Sequence, residues 1–198
     1  MPRQPRVDIA NNYYHCINRA SARLKINFND DDFRLIIKVL FEAQKKFNID
    51  ILAFAIMNNH FHLVIKTNQD KQMSQFMKWF TFVHTKRWHF INKTAGTGHL
   101  YQGRYKSFII LDQRHLETVI RYVERNPLTA NIVKNILDWK YSSLYQRYVS
   151  NKVNSIAQTQ MQIKLADWPY NESIDYLKNL IEPYTNKEIE KALESEME

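Results

Sequence analysis

The sequence predicts an α+β fold: one antiparallel sheet with helices on one face, its segments in the order β-α-β-β-α-β. Three observations carry that prediction. Four short runs rich in β-branched and aromatic residues, at 11–20, 49–57, 60–67 and 104–111, read as strands. Apolar residues at helical spacing fill the stretch between the first and second runs and the stretch between the third and fourth. Only Asn58 and Asn59 lie between the second and third runs, so those two strands pair as a hairpin. This order is that of a ferredoxin-like fold, here with an extra helix after the last strand.

Each element has a local reason. "NNYYHCINRA" is dense in residues that favour strands. In "NFNDDDFRLIIKVLFEAQKKF", Asn29 or Asp30 is a good N-cap, and Phe33, Ile36, Ile37, Leu40, Phe41 and Phe47 follow at helical intervals. "IDILAFAIM" and "HFHLVIKT" are the hairpin strands, joined by asparagines that tolerate left-handed backbone. A second helix runs from about Lys71 to Asn92, with Met73, Phe76, Met77, Phe80 and Arg87 on related turns. "RYKSFIIL" is the fourth strand, and a third helix covers Gln113 to Asn126, closed by Pro127. All three glycines, Gly96, Gly98 and Gly103, fall within "GTGHLYQG", which reads either as a long connection or as a loop that closes on a ligand.

The chain of 198 residues fits one domain, 1–150, with an acidic helical extension at 151–198. No apolar run approaches the roughly 20 residues of a membrane span, and no apolar segment follows the basic start "MPRQPRVD". Cys16 is the only cysteine, which excludes a disulfide framework and a cysteine-rich zinc site. A cytoplasmic protein is expected. The formal charge is +8, unevenly spread. From Asp167 onward nine acidic residues face three basic ones, while Met1 to Ala166 holds 25 basic against 11 acidic. A body this basic points to a polyanion, nucleic acid ahead of an anionic membrane. The acidic tail reads as a solvated helix, or as a segment that docks on the basic surface.

Chemistry first shows in "FAIMNNHFHLVIKT". Side chains alternate along a strand, so His60 and His62 share one face and Phe61, Leu63 and Ile65 the other. Two imidazoles on one face either hold a divalent metal or are hydrogen-bonded polar residues. In "RYVERNP", Tyr122 and Asn126 lie about 40° apart at one border of the apolar stripe Leu116, Val119, Ile120 and Val123. They read either as a nucleophilic phenol beside an amide ligand or as a half-buried core tyrosine with a helix-ending asparagine.

Taken together, these residues carry a family resemblance. "YHCINR", "LAFAIMNNHFHLVI", "LYQGRYKS", "RYVERNPLTANIV" and "DWKYSSL" are similar, in order, to the segments of REP-associated tyrosine transposases, members of the single-tyrosine HUH (IS200-like) transposases. The likeness spans about Tyr13 to Leu144. It implies that His60, His62 and Asn126 are ligands of Mg²⁺ or Mn²⁺ and that Tyr122 is the nucleophile. It further implies cleavage of single-stranded DNA through a 5′-phosphotyrosine, and a DNA hairpin with a flanking single strand as partner. The REP-associated group is expected to act as monomers. Asn58 stands where the family usually has proline, and Thr129 where a basic residue often follows Asn-Pro, leaving that phosphate contact unassigned.

Expected DNA-binding residues are Arg3 and Arg6 on the N-terminal arm, Arg19 at the end of the first strand, and Arg104, Tyr105 and Lys106 in "LYQGRYKS". Lys86, Arg87 and Trp88 form a further basic-aromatic cluster, with the Trp read as core. Two other readings stand beside the enzyme. One is a domesticated regulator that binds hairpins without cutting. The other is a ferredoxin-like RNA binder, which needs exposed aromatics on its central strands.

Overall fold

Residues 7–23, 25–27, 29–150 and 164–166 are described by a computed structural model. Four strands form one antiparallel sheet: β1 (Tyr13–Arg19), β2 (Asp50–Ile56), β3 (His60–Lys66) and β4 (Lys106–Ile110). They are ordered β2-β3-β1-β4, the ferredoxin-like arrangement that the order of segments predicts. The expected extension falls largely outside the described residues. Its short piece at 164–166 runs parallel to β2, with the Ala166 amide donating to the Ile51 carbonyl. Arg3 and Arg6 also lie outside the described residues.

Helices α1 (Asp30–Phe47) and α2 (Gln72–Ile91) cover one face of the sheet. Asn29 caps α1 by accepting from the Asp31 and Asp32 amides, as its position suggests. The left-handed Asn48 ends that helix. At the start of α2 the Lys71 side chain supplies no cap; instead the Asp8 carboxylate accepts from the Met73 and Ser74 amides. Tyr14, Cys16, Phe54, Ile56, Phe61, Leu63 and Ile65 point into this layer and pack on Ile36, Leu40, Phe76, Met77 and Phe80. Arg87 faces outward and pairs with Glu42 at 2.8 Å, while Trp88 packs against the core and donates its Nε1–H to the Ile26 carbonyl.

The opposite face is covered by α3 (Gln113–Thr129). Its stripe of Leu116, Val119, Ile120 and Val123 packs on Ala53, Ala55, Val64 and Ile110. Alanines on β2 let the helix approach the sheet closely. A register shift between Ile51 and Ala53 turns Leu52 toward α3 as well.

Two details differ from the sequence reading. The helix does not stop before Pro127 but continues to Thr129 with the proline inside. Proline removes one amide, yet this one sits in the last turn, where the Ala130 amide still reaches the Asn126 carbonyl at 2.9 Å. The Asn58–Asn59 turn has no left-handed residue. It is held from outside: the Asn58 carbonyl accepts from the Ile26 and Asn27 amides, and the Asn59 carbonyl from Ala20. In the glycine-rich loop, Gly96 and Gly98 adopt positive φ. No helix among the described residues is long and apolar enough to cross a membrane.

Candidate active site

The pleat of β3 divides its residues as predicted. Phe61 and Leu63 enter the layer beneath α1 and α2, while His60 and His62 stand on the face covered by α3. Their rings lie 5.1 Å apart between centroids. His62 is buried against α3, and His60 is partly open, its Nδ1 2.7 Å from the Asn59 side-chain oxygen.

On α3, Tyr122 and Asn126 are one turn apart and both reach the histidines. The Tyr122 ring meets His62 edge to face at 5.6 Å. The Asn126 amide nitrogen lies 3.4 Å from His62 Nε2, and its side chain also interacts with His60. The helix is tied to the sheet near this point. Buried Glu124 accepts from the Ser143 hydroxyl at 2.5 Å, and Ser143 Oγ in turn receives the Phe54 amide at 3.0 Å. An acid two residues after Tyr122 and two before Asn126 thus locks their height above the sheet.

Both imidazoles are held neutral. Burial, then the nearby Arg19 guanidinium, lowers His60 to about 4 against a hydrogen bond that the ring donates to Asn126. Burial dominates at His62 too, reinforced by His15, His60 and Arg19, and puts its pKa well below the ordinary range. Neutral imidazoles keep a lone pair for a metal at physiological pH. Among the described residues no three His, Cys, Asp or Glu side chains gather as a metal cage. A cation here would therefore need the amide oxygen of Asn126, or oxygens of a substrate, beside the two histidines.

The expected DNA-binding residues separate. Arg19 lies across from His60 in the β1–β3 ladder, and Lys106 across from Ile17, so both occupy the histidine face at one end of the sheet. Arg104 is exposed in the loop before β4. Tyr105 is a correction: it is buried with the α1–α2 core, its hydroxyl 3.2 Å from Ser74 Oγ, and offers no face for a base to stack on. Its neighbour Tyr101 is likewise buried, hydrogen-bonded to His84 at 2.7 Å.

Sequence reasoning missed His15. It is fully buried on β1, edge to edge with His62 at 5.2 Å between centroids, with its Nε2 3.0 Å from His62 Nδ1. The signal was available in the alternation of Tyr13, His15, Ile17 and Arg19. Pairing β1 beside β3 must bring one of its two faces level with the histidines.

An antiparallel sheet in 2-3-1-4 order, with α3 laid over the face that carries His60 and His62, defines the class as α+β proteins of the ferredoxin-like type. The family is shown directly by sequence: the model for "Transposase IS200 like" matches residues 8–126, and the chain belongs to that family. Among solved structures, the chain is similar to a REP-associated tyrosine transposase bound to a REP hairpin. That match has 15% identity and a TM-score of 0.61, covering 87% of this chain and 96% of that one. It is also similar to a candidate transposase from Deinococcus radiodurans R1 (15% identity, TM-score 0.44, covering 63% of this chain and 97% of that one). A third likeness is to tRNA(His) guanylyltransferase from Saccharomyces cerevisiae (12% identity, TM-score 0.49, covering 95% and 79%). At this identity the first match shows the fold alone, and the other two carry no argument. None of the curated proteins matches the chain.

Proposed function

We propose that this chain is a metal-dependent single-stranded DNA endonuclease and strand transferase of the cytoplasm. In this reading it binds REP-type DNA hairpins as a monomer and cleaves through a 5′-phosphotyrosine on Tyr122. One observation carries the reading: the Tyr122 ring and the Asn126 amide both sit on His62, beside a second neutral imidazole. Chain segments far apart in sequence converge there on groups suited to phosphoryl transfer.

Mg²⁺ or Mn²⁺ fits this donor set of His60, His62 and Asn126, with Mn²⁺ the better match to nitrogen ligands. When bound, such an ion polarises a scissile phosphate and offsets its developing charge. The remaining work falls to the protein. The Tyr122 oxygen attacks phosphorus in line as its proton leaves, and the O–P bond forms as the bond to the 3′ oxygen breaks. That oxygen takes up a proton and departs as a free 3′-hydroxyl. The phosphodiester is conserved in the covalent link, so the reverse attack rejoins DNA without a nucleotide cofactor. Arg19 and Lys106, on the same face, supply cations for the backbone on either side of the scissile phosphate, and Arg104 lies on the loop leading to them.

The test is a gel assay with a labelled hairpin oligonucleotide carrying a single-stranded flank, with and without Mn²⁺. Metal-dependent cleavage that disappears in His62→Ala is the expected result. Tight binding with no product at any divalent metal would instead make the chain a hairpin-binding regulator.

A further inference from the structure

We infer that His15 is a positioning residue that holds His62 in the one tautomer able to bind a metal. The inference rests on the metal site proposed above. His15 Nε2 and His62 Nδ1 are 3.0 Å apart in a buried contact, so one ring donates and the other accepts. Were His15 the donor, His62 would keep its own proton on Nε2, the nitrogen that points toward Asn126. The second contact sets the direction for the Asn126 amide orientation seen here. The Asn126 amide nitrogen approaches that same Nε2 at 3.4 Å, and an amide N–H can donate only to a bare nitrogen. His62 therefore carries its proton on Nδ1, donates it to His15, and presents an unprotonated Nε2 toward α3.

Ring geometry makes this orientation hard to lose. The His15 and His62 rings meet edge to edge within 19° of parallel, and His15 is further enclosed by Phe108 at 6.2 Å and Tyr122 at 6.0 Å. Metal-bound histidines commonly donate their second N–H to a carboxylate, carbonyl or water, and loss of that partner typically weakens metal binding 10–100-fold. Here an imidazole nitrogen from the neighbouring strand takes that place. It orients the ligand without adding negative charge beneath the site.

Two measurements test this, one needing no variant. Long-range ¹H–¹⁵N NMR of the metal-free protein should show His62 protonated on Nδ1 and bare on Nε2. A proton on Nε2 would overturn the inference. Mn²⁺ titrations followed by electron paramagnetic resonance then compare wild type, His62→Ala, His15→Phe and His15→Gln. Phe keeps the ring but has no acceptor, whereas the Gln side-chain oxygen can reach the position of Nε2. His15→Phe should bind Mn²⁺ about 10–100-fold more weakly, with His15→Gln recovering most of the loss. Equal loss in both variants, or none in His15→Phe while His62→Ala loses binding, would leave the metal reading intact and refute the role of His15. Mn²⁺ binding unchanged by His62→Ala would refute the metal reading and this inference with it.

Discussion

The sharpest consequence of the β3 pleat is that stability and chemistry alternate residue by residue. Phe61 sits between the two histidines in sequence but is fully buried on the opposite face, with Phe80 at 5.2 Å and Tyr101 at 5.9 Å between ring centroids. Truncating a buried phenylalanine to alanine costs about 3–5 kcal/mol. Two aromatic pairs at about 0.5–1.5 kcal/mol each place Phe61→Ala in the upper half of that range. Against a typical total of about 5–15 kcal/mol this is a large share. For a domain of this size it lowers the melting temperature by about 8–20 °C. His60, half open at the edge of the site, has no such packing, and His60→Ala should stay within about 1 kcal/mol. Urea titrations of both variants measure the costs. Phe61→Leu, at about 1–2 kcal/mol, keeps enough fold to assay cleavage. Phe61→Leu should cut DNA nearly as wild type does, while His60→Ala should not. A stable Phe61→Ala together with a strongly destabilised His60→Ala would mean that the faces of β3 are the reverse of those described.

Acid should weaken the fold through its buried histidines. Burial holds His84 at about 3, below the ordinary 6.5, so the unfolded chain takes up a proton that the folded one refuses. This contribution is complete above about pH 6.5 and is lost as pH falls toward 3, amounting to about 2 kcal/mol by pH 5. His60, lowered to about 4, acts in the same direction. Urea midpoints at pH 7.5 and 5 check the sign, and a midpoint that rises on acidification contradicts it. Arg19→Gln should weaken binding of single-stranded DNA and reduce the slope of log affinity against log salt by about 0.7, the value of one phosphate contact. An unchanged slope would remove Arg19 from the interface.

Much of the fold was legible because its signals are local. Alternation in "HFHLVIK", the helical stripes and the two-residue hairpin link each depend on a few neighbouring side chains. Strand and helix periodicities placed His60 with His62 and Tyr122 with Asn126 on shared faces, while the joining of the two pairs into one set came from the family resemblance. What escaped depends on partners distant in sequence. Tyr105 looks like a stacking platform until its hydroxyl is found against Ser74, 31 residues earlier. His15 acquires meaning only from the β1–β3 register, which sets it across from Val64 and its same-face neighbour Ile17 across from His62, so that His15 lies diagonal to His62. The cap of α2 comes from Asp8, more than sixty residues upstream of the amides it receives. Pro127 looks like a helix terminator, and only the last-turn hydrogen bonds show the helix passing through it.

The most direct test of the account asks which atom takes the phosphate. The protein is incubated with Mn²⁺ and a 5′-flanked hairpin oligonucleotide, digested, and the nucleotide-bearing peptide sequenced by mass spectrometry. The account predicts a single phosphotyrosyl adduct on Tyr122, absent from Tyr122→Phe although that variant still binds the hairpin. An adduct on any other residue, or one that survives in Tyr122→Phe, would contradict it.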